Sequence, residues 1–298
     1  MSTPVKQLES LIRKACLIEV RSIKPGNVSP SASFANASAA DFERSANAIA
    51  PILANAAEDS TIGVGKAVLE AVSATSQAVG HNTNLGIILL LTPLARVTAE
   101  ATLRNGIAEV LDNLTVEDAT AVYRAIRIAK PGGLGEAVDQ DVAGSPNTDL
   151  RTCMALAADR DLIAAQYVNN FENVLKDGVE LLQQTANWKV DQEYRLAWVA
   201  VSLIAKFGDT LIRRKCGSEM DNTVRGMAQE LLDSDWPFAK VTQKAYATFD
   251  EFLRADRNQR NPGTTADMIA AIVFAVLREG ICTTDVDETR LIFPDDVR

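Results

Sequence analysis

Histidine and cysteine are scarce in this chain of 298 residues, and both shortages limit its chemistry. His81 is the only histidine, which excludes a catalytic histidine pair or a histidine-rich metal site. The four cysteines (Cys16, Cys153, Cys216 and Cys282) are too far apart in sequence for a zinc knuckle or a redox pair. We therefore expect reduced thiols in a cytoplasmic protein.

The sequence also lacks a long hydrophobic run. Its longest apolar stretch, residues 85–91, is far shorter than the roughly 20 residues that a membrane span needs. The first nine residues show no basic-then-apolar pattern of a signal peptide. These absences predict a cytoplasmic protein with no membrane partner, in which residues 85–91 form a buried helix.

Positive charge is in short supply as well. The chain has 30 basic and 39 acidic residues, which leaves a net charge of −9. Proteins that bind nucleic acid draw much of their affinity from basic surfaces, so no nucleic-acid partner is expected. A nucleotide-sized anion can still bind through a local cationic cluster or a bridging metal ion.

Aromatic residues make up only 5% of the chain, and no segment alternates apolar and polar residues as a strand would. Apolar residues instead recur with helical period, in segments rich in Ala, Leu, Glu and Arg. We predict an all-α fold, as one compact multi-helix domain over residues 1–298, with a poorly patterned tail after Gly280. The helical patterns lie at residues 5–18, 40–57, 61–79, 85–103, 116–129, 149–184, 192–215, 219–232, 238–255 and 265–279.

Two helix starts carry capping signals. Thr115 precedes Glu117 and Asp118, and acidic residues in a first turn are favoured by the helix dipole. Asp59 and Ser60 are placed to cap the third helix in the same way.

Six polar segments interrupt or end the helical patterns, and a site is expected there. Local turn and capping chemistry can explain each of them separately. Asn261 and Pro262 suit a helix start, for example, and Thr264 with Asp267 has the spacing of a capping box. The segments are residues 24–30, 80–86, 130–135, 159–167, 209–215 and 261–267.

Some of these segments also suit a nucleotide. Asn82, Thr83 and Asn84 precede the apolar stretch, where the free N–H groups of a helix start can hold a base or phosphate. The glycine-rich residues 130–135 can approach phosphate, and Asp139 and Asp141 nearby suit Mg²⁺. That loop has neither the Walker nor the dinucleotide-binding pattern.

The cations of residues 213–215 allow two interpretations. They could neutralise a triphosphate. Equally, Asp209 and Arg213 are four residues apart, a spacing that gives an ordinary salt bridge on a solvated helix end.

Taken together and in this order, the six segments resemble the triphosphoribosyl-dephospho-coenzyme A synthase family. The resemblance rests on Lys-Pro-Gly-Asn-Val-Ser-Pro at residues 24–30, Asn-Thr-Asn-Leu-Gly at 82–86 and Gly-Gly-Leu-Gly at 132–135. It also rests on Arg-Asp at 160–161, Asp-Thr-Leu-Ile at 209–212 and Asn-Pro-Gly-Thr-Thr-Ala-Asp at 261–267. These motifs run from about residue 15 to 280, so nearly the whole chain is covered.

The resemblance implies an all-helical transferase. In the family reaction ATP loses adenine, and its triphosphoribosyl group is joined to the ribose 2′-hydroxyl of 3′-dephospho-CoA. The implied ligands are therefore ATP as substrate, Mg²⁺ and a coenzyme-like acceptor. Loss of a base from the anomeric carbon should pass through an oxocarbenium-like state, which needs a carboxylate.

The residues at the matching positions are our candidates for the site. For catalysis they are Asp161, Asp209 and Asp267, and for Mg²⁺ they are Asp141 and Asp161. For nucleotide binding they are Lys24, Gly26, Asn27, Asn82, Thr83, Asn84, Gly132, Gly133, Arg213, Arg214, Lys215, Thr264 and Thr265. We expect the loops to line one pocket, with Asp161, Asp209 and Asp267 facing Asn82 and Lys24.

The chain departs from the members that serve citrate lyase. Those members carry a His-x-Asp-Met-Asp stretch after the Lys-Pro-Gly loop, whereas residues 31–40 here contain no His, Asp or Glu. They also carry Asn-Thr-His-Lys-Gly where residues 82–86 stand. The chain thus resembles a broader branch outside the citrate and malonate pathways.

Two hypotheses of different class remain open. One is a ribosyl-type transferase whose acceptor is 3′-dephospho-CoA or a precursor in another cofactor pathway, such as pterin-type C1 cofactor synthesis. The other is a catalytically divergent nucleotide-binding protein.

Overall fold

A computed structural model gives the fold, and it describes residues 3–133, 139–190, 193–287 and 290–294. The α-helices of this part are α1 Thr3–Arg21, α2 Ala39–Glu58, α3 Val64–Val79, α4 Leu85–Ala95, α5 Leu103–Asp112, α6 Val116–Ala129, α7 Leu150–Ala155, α8 Leu162–Val168, α9 Val179–Gln184, α10 Glu193–Phe207, α11 Thr210–Cys216, α12 Ser218–Asp233, α13 Gln243–Asn258 and α14 Gly263–Arg278. A π-helix at Asn173–Gly178 precedes α9, and a 3₁₀ turn at Lys240–Thr242 precedes α13.

The only strands in the described ranges are β1 Thr283–Thr284 and β2 Leu291–Ile292, which pair antiparallel in the tail. The all-α prediction is confirmed. Within the same ranges, no helix has both the length and the apolar character needed to cross a membrane.

The main core is built around α14. This helix packs against α1, α4 and α10, and its residues from Met268 to Val276 are almost completely inaccessible to solvent. In α4 every residue is buried except Gly86, so the prediction of a buried helix at residues 85–91 is confirmed. Helices α1, α2, α3 and α6 pack in succession around these two. The apolar area that they remove from water stabilises the fold.

A smaller second core lies on the other side of α10. Val201 and Ile204 of α10 pack there with α11, α12 and α13 around the buried side chains of Trp236 and Phe249. The opposite face of α10, including Val199 and Leu203, belongs to the main core. Helix α10 therefore holds the two cores in one compact domain.

The predicted helix ends were partly right. Helix α6 spans residues 116–129 as predicted, and Thr115 forms a capping box with Asp118. The prediction that Asp59 and Ser60 cap the third helix was wrong. Asp59 accepts a hydrogen bond from the Thr61 amide at 2.9 Å, and α3 is capped from another helix by Asp118, whose Oδ1 accepts from the Gly65 amide at 2.7 Å.

Three predicted helices are interrupted. The pattern at 85–103 ends at Ala95, and α5 begins only after the Thr102 cap. Just after the end of α4, the Arg96 guanidinium donates to the carbonyls of Ala56 and Ile62. The pattern at 149–184 is broken into α7, α8, the π-helix and α9, and that at 192–215 is broken before α11. Asp161 and Asp209 stand at two of these breaks.

Candidate active site

One cavity of about 1040 Å³ collects residues from all six polar segments. Its wall includes residues 27–28, 80–87, 130–133, 139–142, 160, 161, 163, 164, 211, 214, 215, 257–259, 261, 263, 264, 266 and 267, and residues 34–37 add an edge that is apolar except for Asn36. The expectation of a shared pocket therefore agrees with the structure for most candidates. Five do not reach the cavity wall, namely Lys24, Gly26, Asp209, Arg213 and Thr265.

Lys24 and Gly26 of the first loop are held by contacts outside the cavity wall. The Lys24 ammonium is buried, lies 3.2 Å from Glu19 Oε1 and donates to the Ser22 carbonyl at 2.9 Å. It also donates to the Glu19 carbonyl. Gly26 has a φ of +70°, and a Cβ there would lie 2.6 Å from Leu253, so the turn needs glycine. Lys24 is thus not available to a phosphate in this arrangement.

Asn27 links the first loop to the last one. Its Nδ2 donates to the Pro262 carbonyl at 2.8 Å, and its own carbonyl accepts from Arg254 at 2.8 Å. This buried hydrogen bond joins two segments of the site that are more than 230 residues apart in sequence.

Residues 82–84 form the entry to α4. Asn82 Oδ1 accepts from the Leu85 amide at 3.1 Å, so Asn82 caps the helix. The Thr83 hydroxyl lies 2.6 Å from that of Ser45. Asn84 is only 4% exposed, and its Oδ1 accepts from the Thr75 hydroxyl at 3.0 Å. Its Nδ2 has no hydrogen-bond partner among the described residues, so a buried donor is left for a ligand at the cavity wall.

Asp267 lies against the first turn of α4. An ideal Cβ on Gly86 would stand 2.1 Å from Asp267 Oδ2, so only glycine leaves room for this carboxyl group. No described residue forms a hydrogen bond or an ion pair with it. Desolvation, followed by the charges of Glu19 and Asp209, raises the pKa of Asp267 well above its ordinary value, and Arg214 opposes this. Asp267 is a carboxyl group at the cavity wall that keeps its proton more readily than usual.

Asp209, in contrast, is fully buried and fully hydrogen-bonded. Its Oδ1 accepts from the amides of Leu211 and Ile212 at 3.0 and 3.2 Å and so caps α11. Its Oδ2 accepts from the amide and the hydroxyl of Thr265, both at 2.8 Å, at the start of α14. Burial raises its pKa, and the Thr265 bonds lower it. The side chain therefore joins two helix N-termini.

This joint replaces the predicted capping box of residues 264–267, which was wrong. The Thr264 hydroxyl accepts from the Leu211 amide at 3.1 Å and lies 3.1 Å from the Thr210 hydroxyl. Because Asp209 and Thr264 already tie α14 to α11, the Asp267 side chain has no capping role.

The cations of α11 point in different directions. Arg213 does not pair with Asp209. It pairs with the buried Asp221 at 2.7 Å, away from the cavity, so the interpretation as an i,i+4 bridge was wrong. Arg214 forms an ion pair with Asp161, whose Oδ1 also caps α8 by accepting from the amides of residues 163 and 164. Lys215 donates to Asn261 Oδ1 at 2.9 Å.

The glycine-rich loop rests on the same helix end. A Cβ on Gly132 would lie 3.2 Å from the Lys215 side chain, and one on Gly133, where φ is +70°, would lie 3.1 Å from the Arg214 carbonyl. Leu134 and Gly135 lie outside the described residues. Cationic side chains at the described wall are Lys130, Arg160, Arg214, Lys215 and Arg257.

The sequence relationships agree with this geometry. A model of the family of ATP:dephospho-CoA triphosphoribosyl transferases matches residues 5–283, which is most of the chain. The chain belongs to this transferase family. The predicted family and enzyme class are therefore confirmed.

A solved structure supports the membership of the transferase family. A protein from Archaeoglobus fulgidus, which bears the name triphosphoribosyl-dephospho-CoA synthase, superimposes with a TM-score of 0.62 at 26% sequence identity. The alignment covers 80% of this chain and 97% of that one. No curated protein sequence matches the chain.

The candidate metal ligands are not gathered into a complete site. No group of three His, Cys, Asp or Glu side chains that could hold a metal ion occurs among the described residues. Both Asp161 oxygens are engaged, one with the α8 amides and one with Arg214. Asp141 lies at the cavity wall and its Oδ1 accepts from the Ala143 amide at 2.7 Å.

Glu19 and Phe34 are among the cavity residues of this transferase that the sequence motifs do not mark. Glu19 lies at its wall although it is on the buried face of α1, four residues after Ala15 and seven after Ile12. The signal available in the sequence was a carboxylate at a position of α1 where the helical pattern predicts an apolar residue. Phe34 lies in the segment without acids, and nothing in its sequence context pointed to a cavity.

Proposed function

We propose that the chain transfers the triphosphoribosyl group of ATP to a hydroxyl group of an acceptor such as 3′-dephospho-CoA, with release of adenine. The observation that carries the proposal is the unpartnered Asp267 carboxyl group in a cavity whose wall also holds a cluster of cations. The family membership supports the same reaction class.

The donor would bind with its triphosphate at the cationic side. Arg214, Lys215 and Lys130 lie around the glycine-rich loop there, and charge-assisted hydrogen bonds to phosphate are among the strongest available to a protein. Mg²⁺ would be shared between Asp141, phosphate oxygens and water. When bound, the ion supplies neutralisation of the triphosphate charge.

The ribose would then lie between α4 and α14. Asp267 is placed to stabilise or protonate the reacting groups, since a raised pKa suits a carboxyl group that donates a proton near neutral pH. The free Nδ2 of Asn84 would donate to the base or the ribose. Asp209 would act only by positioning α11 and α14.

The acceptor would occupy the remainder of the cavity. Typical ligand pockets have volumes of roughly 300–1,000 Å³, so this one has space for a second substrate. Phe34, Ala35 and Ala37 give that part an uncharged wall.

Adenine formation tests the proposal. The wild type incubated with ATP, Mg²⁺ and 3′-dephospho-CoA should release free adenine, measured by chromatography. Asp267→Asn should slow this about 100-fold or more, the usual share of a general acid or base. Glu230→Gln, an exposed change on α12, is the control and should leave the rate unchanged.

The opposite result is also clear. If the protein binds ATP tightly but forms no adenine with this acceptor or with other hydroxyl acceptors, the proposed transfer is wrong. The protein is then a catalytically divergent nucleotide-binding protein.

A further inference from the structure

We propose that Glu19 is the general base that takes the proton of the acceptor hydroxyl group, while Asp267 is the acid that protonates the departing adenine. This inference rests on the proposed function. It assigns a second catalytic group to a residue that no sequence motif had marked.

Glu19 meets the geometric needs of a base. It lies in the last turn of α1, is only 4% exposed and contributes to the cavity wall. Lys24 Nζ lies 3.2 Å from its Oε1 and is held there by further donation to the carbonyls of residues 19 and 22. A buried carboxylate is retained in the charged form only with such a partner.

Asp267 has the opposite surroundings. No described residue donates to it, and Arg214, the cation that acts on its charge, is already paired with Asp161. Of these two carboxyl groups at one cavity wall, only Glu19 forms an ion pair with a described cation. Environments that separate two neighbouring carboxyl groups in this way assign one to the acid role and the other to the base role.

The charged groups around Glu19 come from three elements. Burial raises the pKa of Glu19 above its ordinary value, and Lys24 in the loop after α1 opposes this shift. Asp267 of α14 lies near enough for Glu19 to raise its pKa. Cys16, also on α1, has its thiol pKa raised by burial and stays protonated, and Arg254 of α13 acts on Lys24.

The charged groups around Asp267 come from four elements. Glu19 of α1, Asp209 before α11 and Asp161 before α8 raise its pKa, after the larger effect of burial, and Arg214 of α11 lowers it. Helix α4 contributes only Gly86 and its N-terminus at this contact. Asp267 is therefore the more readily protonated of the two groups.

The step balances. The bond between the anomeric carbon and the adenine nitrogen breaks, and adenine leaves with the electron pair and the proton of Asp267. The acceptor oxygen forms a new bond to the anomeric carbon, and its proton passes to Glu19. The net result is one proton moved from Asp267 to Glu19, and exchange with water restores both groups.

The experiment measures how kcat/KM for triphosphoribosyl transfer to 3′-dephospho-CoA depends on pH. The wild type should give a bell-shaped profile. Glu19→Gln should lower the rate about 100-fold or more and remove the fall at low pH, because no base remains to be protonated. Asp267→Asn should remove the fall at high pH. Glu43→Gln, which breaks a pair with Arg21 outside the cavity, should keep both limbs.

A double variant separates catalysis from charge balance. Glu19→Gln leaves Lys24 buried without its partner, so loss of activity could follow from a damaged fold. Glu19→Gln combined with Lys24→Met removes both charges together. We expect this protein to melt as one cooperative unit and to bind ATP, yet to lack the low-pH limb and to stay about 100-fold slow.

The outcomes distinguish the two proposals. Recovery of the rate and of the low-pH limb in the double variant would overturn the base role of Glu19 and leave the proposed function standing. A wild type that forms no adenine would overturn both, since no transfer would remain for Glu19 to assist.

Discussion

At the scale of single residues, Asp209 and Asp267 show how two acids of one sequence pattern come to differ. Each stands within four residues after a glycine, and the sequence motifs made both of them candidates for catalysis. In the structure Asp209 accepts four hydrogen bonds and no cavity surface touches it, whereas Asp267 has no such partner and lies at the wall. The two residues differ in their tertiary contacts, which cannot be predicted from the residue type.

The isolation of Asp267 predicts a pH-dependent cost in stability. Its folded-state pKa is raised, so the folded protein binds this proton more readily than the unfolded chain does. Its stabilising effect is therefore greatest below about pH 4 and is lost as the pH rises through the folded pKa. Asp267→Asn should be more stable than the wild type at pH 8, and the difference should shrink toward pH 4.

Urea unfolding across this pH range measures the effect, with Glu230→Gln as the reference substitution. If Asp267→Asn were less stable than the wild type by the same amount at every pH, the carboxyl group would be supporting the fold instead.

At the scale of elements, the contact between α4 and α14 holds the reactive carboxyl group in place. Gly86→Ala would put a Cβ 2.1 Å from Asp267 Oδ2 and 2.5 Å from its Cγ. Displacement of a catalytic group by about 1 Å can cost about 100-fold in rate, so we expect a loss of that order in adenine formation. Alanine is the better helix former, but the overpacking against Asp267 works against that gain in stability.

Gly226→Ala in α12 is the matched control, since nothing lies within 4 Å of its added Cβ. It should raise the free energy of unfolding by about 0.5–1 kcal/mol and leave activity unchanged. Equal activity of Gly86→Ala and the wild type would show that Asp267 can move without consequence.

Helices were predictable where local signals and tertiary packing agree. The span of α6 follows from its apolar period and the Thr115 cap. The helical pattern did not predict the end of α4 at Ala95; just beyond it, the Arg96 side chain donates to the carbonyls of Ala56 and Ile62 in a distant segment. Similarly, α3 and α14 are capped by Asp118 and Asp209 from other helices, and no window of sequence contains both partners.

The sequence predicted that the motifs gather around one cavity, but it did not predict the contacts of their side chains. Most motif residues reach one cavity, yet Lys24 and Arg213 are held by Glu19 and Asp221. A cation in a motif suggests phosphate binding until its actual partner is known. Glu19 was missed for the converse reason, since a single acid in an apolar stripe reads as an exception to the helix pattern.

At the scale of the whole molecule, the cavity wall joins residues of the main core to α11, which belongs to the second core. A ligand there should fasten the two together, because binding to the folded state alone stabilises whatever the ligand contacts. ATP with Mg²⁺ should therefore slow hydrogen exchange of the amides in α11 and in residues 257–262. Amides of α12 that face solvent are the internal reference.

Exchange monitored by mass spectrometry, with and without ATP, checks this expectation. Slowing that is confined to α1–α6, with α11 unchanged, would place the nucleotide on one core only.

The wall at residues 34–37 has one further consequence. These residues are exposed or only partly buried, whereas Asp267 belongs to α14, whose residues from Met268 to Val276 are almost completely inaccessible to solvent. Substitutions in the wall should cost little folding free energy, while changes around Asp267 strain the core. The proposed acceptor side of the cavity is therefore open to mutagenesis of a short surface segment, and libraries at Phe34 and Asn36 would test whether it accepts new hydroxyl compounds.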